Sequence, residues 1–340
     1  MKDEDILSEI MSGDYNEQIA ELKKKFPESE FPGLYPIRTL HYNINEIYNH
    51  YSSEVETDLQ REVLRKFDSN LTYNYGDDKF CGPFVSYDGE KYHATFYENF
   101  NAFLWIYSYW MFLQYELTAQ KQKNDPSDPL YITDRMIERA RQLFSLGLQI
   151  RHGQHVDWNL ELPNPNPTSH SVDSEAIYCL KTNEIWKVAV CYIMFHELAH
   201  VVHRDLESEC VNPKLTEQEA DNYAIDLMHC PNAPMTAFYT QIGVTLGTGF
   251  LLFFYANPRR LYSGNEGTHP DVTVRISNNR ERLFNYFDET HKNDILWLQA
   301  IMYCNFCSLH DIKVDKKEFE YPIEAVEYYE ALLDSIFAHD

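Results

Sequence analysis

A chain of 340 residues with 44% hydrophobic and 24% charged side chains can bury a large core, which excludes a disordered or fibrous protein. Its formal net charge of −24, from 29 Lys and Arg against 53 Asp and Glu, repels phosphate backbones and argues against nucleic acid or an anionic membrane surface as a partner. Seven scattered cysteines fit a reducing compartment, and Met1-Lys2-Asp3-Glu4-Asp5 lacks the basic and apolar regions of a secretory leader, so a cytoplasmic location without disulfides is expected.

Residues 3–26 are charged and helical in pattern, with Ile6, Ile10, Ile19 and Leu22 as apolar contacts and Phe26-Pro27 as the stop. A second helical stretch is expected from about Asn45 to Phe67. The period then changes: Phe84-Val85-Ser86-Tyr87, Asp88-Gly89 and Lys91-Tyr92-His93-Ala94-Thr95-Phe96 predict a β-hairpin with a type I′ turn. Asn99–Tyr115 carries no charge and is rich in Phe, Tyr and Trp, which suits a buried core helix better than a membrane span. The polar, breaker-rich segment Lys121–Pro129 is the expected lobe boundary, separating an N-terminal helical region (1–125, with a hairpin near 84–96) from a region 126–340.

A helix is expected from Thr133 to about Gly147. His155–Leu160 reads equally as a surface strand or as an edge that takes a peptide by strand addition. From Asn183 to His203 the pattern is helical and apolar nearly all round, which predicts a core helix too short for a bilayer.

Near the end of that helix stands His196-Glu197-Leu198-Ala199-His200. Histidines four apart share a helix face one turn above each other, so both imidazoles can reach a single Zn²⁺, and Glu197 is placed to take a proton from the attacking water. Burial sharpens the reading, because these side chains are costly to desolvate unless a metal satisfies them.

A catalytic zinc normally takes three protein ligands. Between the two glutamates downstream, periodicity selects Glu217, which shares an apolar stripe with Ala220, Asp221, Ala224, Leu227 and Met228. Glu219 falls on the polar face and is expected to close a capping box with Thr216. Asp221, one turn beyond Glu217, can accept the second ring N–H of His196. His203 lies two turns from His196 and reads as a helix-terminal residue. Ala237–Ala256 is again uncharged and is expected to pack behind the metal site rather than cross a membrane. Thr268-His269-Pro270 opens another helix with Pro270 in its first turn; His269 there could stabilise an oxyanion or cap the helix. Cys304 and Cys307 continue a helical stripe and read as core thiols, and the last helix, Ile323–Ala338, is amphipathic.

Together, His196-Glu197-x-x-His200, Glu217-x-x-Ala220-Asp221 and His269-Pro270-x4-Arg275-Ile276 resemble the gluzincin metallopeptidases. The late segment is similar to that of the HtpX and CAAX-prenyl-protease branch, and the overall make-up to Lit-type phage-exclusion peptidases or IrrE/ImmA regulators. The resemblance spans residues 196–276 and implies His196, His200 and Glu217 as ligands of one catalytic Zn²⁺, Glu197 as general base and His269 near the substrate. It departs from IrrE-like regulators, which usually carry Asn where Asp221 stands. The expected fold is α+β, mainly α, with a zincin-like core and a small antiparallel sheet. The expected function is a zinc endopeptidase acting on a protein or peptide; a metal-binding regulator and a membrane-embedded protease remain alternatives at this point.

Overall fold

The computed structural model describes residues 35–40, 67–74, 80–88, 92–123, 131–165, 173–203, 212–229, 235–262 and 269–337. The helices expected over 3–26 and 45–66, and the 124–129 part of the boundary segment, lie outside the described residues.

The fold is mainly helical with one small sheet. Strands β1 (Phe67–Asn74), β2 (Phe84–Tyr87) and β3 (Tyr92–Tyr97) lie in the order β1-β3-β2. β2 and β3 are antiparallel, with Phe84 opposite Thr95 and Tyr87 opposite Tyr92. That register leaves residues 88–91 to join the strands, more than the two-residue turn expected at Asp88-Gly89; the conformation at Gly89 lies outside the described residues. β1 adds in parallel to the other side of β3, a pairing between distant segments that local alternation does not announce. β2 is thereby an edge strand. His155–Leu160 forms no strand, since this segment folds around Trp158, whose ring N–H donates to the carbonyl of Pro163.

The helices are α1 (Glu98–Lys123), α2 (Asp134–Arg151), α3 (Asp173–Val202), α4 (Pro213–Met228), α5 (Ala237–Gly249), α6 (Leu251–Phe254), α7 (Val272–Phe284), α8 (Glu289–Leu309) and α9 (Pro322–Phe337). α1 and α3, apolar on nearly every side, are buried on nearly every side. Their tryptophans supply bulk and a polar handle each: Trp105 Nε1 donates to Asn183 Oδ1 (2.8 Å) and Trp186 Nε1 to the carbonyl of Asn101 (3.1 Å). These bonds also explain why α3 begins at Asp173 and not at Asn183. The Asn183 amide is occupied by Trp105 and by the Pro165 carbonyl, so it caps nothing and the helix runs through it.

The length expectation for this helix is corrected accordingly. At 30 residues α3 is long enough for a bilayer, and Glu175–Val202 and Ala237–Phe254 both qualify by length and composition. Most of each segment is buried against neighbouring helices of the same core. Helices on both sides of residues 124–130 contribute to that core. At the other end of the chain, Cys307 is a core thiol as expected, whereas Cys304 is exposed.

α5 packs directly behind α3 through glycine. A β-carbon at Gly243 would sit 2.5 Å from the Val188 side chain and 2.8 Å from the Ile185 carbonyl, and one at Gly247 would sit 3.0 Å from the Tyr192 ring. These contacts place the backbone of α5 against the turns of α3 that lead to His196. Gly243→Ala is therefore expected to overpack the interface and cost about 1–3 kcal/mol, read as a lower denaturant midpoint; an unchanged midpoint would show that the α3–α5 contact is looser than these distances require.

Candidate metal centre

α3 presents His196 and His200 one turn apart, and α4 crosses beside it with Glu217 and Asp221 on its inner face. α4 starts earlier than a capping box at Thr216 would allow. Asn212 is its N-cap, accepting from the Leu215 N–H, and Pro213 occupies the first turn. Thr216 and Glu219 thus form no capping box; Glu219 is exposed, while Glu217 turns inward. The two alanines of the stripe, Ala220 and Ala224, are fully buried and let the helices approach.

The inward groups converge. His196 Nε2 lies 3.3 Å from His200 Nε2 and 3.3 Å from Glu217 Oε2, and His200 Nε2 lies 3.6 Å from Glu217 Oε1. Donors on a tetrahedral cation with bonds of about 2.1 Å are separated by about 3.4 Å, so the spacing fits a shared metal ion. Glu217 Oε2 is buried between His196 Nε2 and a terminal nitrogen of Arg275, each 3.3 Å away, a setting that keeps the carboxylate an anion. His196, His200 and Glu217 form a group that could hold a metal ion.

Asp221 organises this group from behind. Its Oδ1 accepts from His196 Nδ1 at 2.9 Å; a carboxylate only accepts, so Nδ1 carries the proton and Nε2 is left to face the cation site. The Tyr192 hydroxyl donates to the same oxygen at 2.7 Å, and Arg275 grips both oxygens, Nε to Oδ2 at 2.6 Å and a terminal nitrogen to Oδ1 at 2.8 Å. Arg275 also reaches Glu217 Oε2 at 3.3 Å. Asn279 donates to the Tyr192 hydroxyl at 3.0 Å and closes the network.

The charges follow from these contacts. Burial pushes the Asp221 carboxyl up, but Arg275 and His196 outweigh it and hold the group far below the usual carboxylate range. Burial also pushes Glu217 up, and the His196 hydrogen bond with Arg275 brings it down to about 2. For His196, burial and Arg275 work against protonation, yet Asp221 and Glu217 outweigh them and raise it to about 9. Glu197 differs: burial dominates and lifts it to about 7, while the Val85 backbone N–H bonds its carboxylate.

Glu197, the three candidate ligands and His269 line one cleft of about 780 Å³. His269 Nε2 stands 3.4 Å from Glu217 Oε1, with 57% of its side chain exposed. It is not a helix cap, because Asp271 holds that place and α7 begins after Pro270. His203 lies past the end of α3, its ring 5.8 Å from that of Tyr223, away from the centre. Arg275, Tyr192 and the edge strand β2 carry parts of the site that sequence reasoning passed over. For Arg275 a signal existed, since it interrupts the apolar stripe Val272-Ile276-Leu283 of α7, and a buried arginine requires a buried anion.

A family model described as peptidase U49 matches residues 94–299. No curated protein and no solved structure matches the chain.

The unaltered chain is expected to purify with stoichiometric metal and His200→Ala and Glu217→Ala without it, and Asp221→Asn to bind metal about 10–100-fold more weakly in chelator competition. Full metal content in Glu217→Ala would remove Glu217 from the ligand set. Arg275→Met, which strands the Asp221 charge, is expected to cost about 3–5 kcal/mol in denaturant unfolding.

Proposed function

We propose that this chain, which belongs to the peptidase U49 family, is a zinc-dependent endopeptidase that hydrolyses peptide bonds of a protein substrate in the cytoplasm. The observation that carries the reading is the convergence of His196, His200 and Glu217 on one point of a cleft that also holds Glu197. Two imidazoles and a carboxylate are a donor set suited to zinc. Zinc held there would polarise the scissile carbonyl and make the attacking water more acidic.

The chain's own groups divide the remaining work. Glu197 takes the proton of the attacking water and returns it to the leaving amine, which needs a carboxylate facing the cleft next to the ligands. Asp221 keeps His196 in the tautomer that points Nε2 forward, and Arg275 keeps Asp221 ionised and turned towards that ring. His269, exposed beside Glu217, is placed to donate to the oxygen on which negative charge develops. β2 takes the role considered for 155–160: it is an edge strand of the described sheet, its first residue Phe84 borders the cleft, and an extended peptide can pair alongside it as it crosses the site. The finer likeness to phage-exclusion peptidases adds the expectation of one dominant host target.

Glu197→Gln is expected to retain zinc and to lose cleavage by about 10²–10⁴-fold, measured by mapping new protein N-termini in cells expressing either form. Undiminished cleavage by Glu197→Gln would sink the mechanism. Stoichiometric zinc with no new N-termini in either strain would favour a metal-binding regulator.

A further inference from the structure

One wall of the cleft is more apolar and aromatic than metal chemistry requires. Phe84 from β2, Phe100 from α1, and Phe250, Leu251 and Phe254 around α6 line the same cleft as the polar groups. The wall is built, not incidental: Phe100 packs edge-on against Phe250, with ring centroids 5.3 Å apart, and lies 6.1 Å from Phe254. Gly82 brings the backbone within 3.3 Å of the Phe254 ring, counted from where its β-carbon would stand. Phe100 and Phe250 are buried at the base, while Phe84 at the rim is 43% exposed. A rigid base with an exposed aromatic rim is the form of a pocket that closes over an apolar side chain.

The rim carries a charge of unexpected sign. In a chain of net charge −24, Arg260 is exposed at the cleft, its guanidinium 4.6 Å above the Tyr255 ring. A guanidinium held over a ring keeps N–H donors whose fork matches a carboxylate. No carboxylate pairs with Arg260 among the described residues. Arg275, the other arginine of the cleft, is already bound to Asp221 and Glu217. Solution ions screen distant charges beyond about 8 Å, so the local arginine, and not the net charge, sets what this rim attracts.

We infer that the cleft selects substrates presenting a bulky apolar side chain, Phe, Leu or Met, next to the scissile bond, with a carboxylate close by that pairs with Arg260. This rests on the peptidase reading above and names the substrate class for that site. The carboxylate has two sources, an Asp or Glu side chain or the peptide's own C-terminus, and the test separates them.

The test uses the full zinc-loaded chain and a positional-scanning library of octapeptides, each sequence made with an amidated and with a free C-terminus. Cleavage is read on the unaltered chain and binding on Glu197→Gln. At least tenfold preference is expected for Phe, Leu or Met over Gly at one position and for Glu over Lys at a second. Arg260→Glu is expected to reverse the second preference towards Lys and Arg260→Lys to keep its sign, a charge swap that a purely structural arginine would not produce. Because Phe254→Ala removes the ring that packs on Phe80, Phe100 and Tyr255, Phe254→Leu is run beside it and is expected to favour Leu over Phe. Preference retained only by free-acid peptides assigns the C-terminal carboxylate; preference shared by amides assigns a side chain. Cleavage or binding without either preference, or an Arg260→Glu profile equal to the unaltered one, overturns the inference while leaving the peptidase reading intact. Selective binding without any cleavage keeps the inference and removes the peptidase reading.

Discussion

The carboxylate of Asp221 is the point on which this structure turns. It is fully buried, a position that by itself would keep it neutral, and it stays charged because Arg275 grips both oxygens while Tyr192 and His196 donate to one of them. Four elements of the described chain join this network: α3 through Tyr192 and His196, α4 through Asp221 itself, α7 through Arg275 and Asn279, and α5 more remotely through Thr248, 3.5 Å from the Asn279 amide. A buried ion pair of this kind adds little net stability compared with apolar packing. What it supplies is direction, since each member's partner comes from a different helix or turn of the site.

That direction is useful because the surrounding core is apolar and closely packed. Helices α1, α3 and α5 present apolar surface on nearly all sides, and glycine brings α5 against α3 where a larger residue would clash. The histidines therefore emerge from a rigid helix into a low-dielectric setting, where each charge–charge contact is stronger than in water. Burial and neighbouring charge separate two carboxylates of one cleft: Glu217, drawn down by His196 and Arg275, stays an anion, while Glu197, dominated by burial, is lifted to about 7.

Much of this was legible in advance, and for identifiable reasons. The core helices α1 and α3 announce themselves because an apolar run without polar relief has nowhere to go but the interior. Glu217 could be told from Glu219 because helical periodicity puts only the former in line with Ala220 and Ala224. The errors lie where a local signal was overridden by a distant partner. Asn183 looks like a helix start until Trp105 claims its side chain, Thr216 and Glu219 look like a capping box until Asn212 and Pro213 begin the helix earlier, and His155–Leu160 looks like a strand until Trp158 anchors it as a loop.

By itself, then, the sequence determined the period, burial and donor chemistry of the segments: a mainly helical core, two histidines on one helix face, and a glutamate and an aspartate on the inner face of the next helix. These are properties of contiguous residues, governed by the 3.6-residue turn and by the cost of desolvating polar groups. The tertiary structure alone decided which segments meet. It set Arg275 against Asp221 across 54 positions, laid β2 along the cleft as an edge strand by pairing β1 with the far side of β3, and gathered an aromatic wall and Arg260 beside the candidate ligands. Contacts between distant segments depend on the packing of the whole core, which no local pattern encodes, and in this protein the shape of the cleft belongs to that second category.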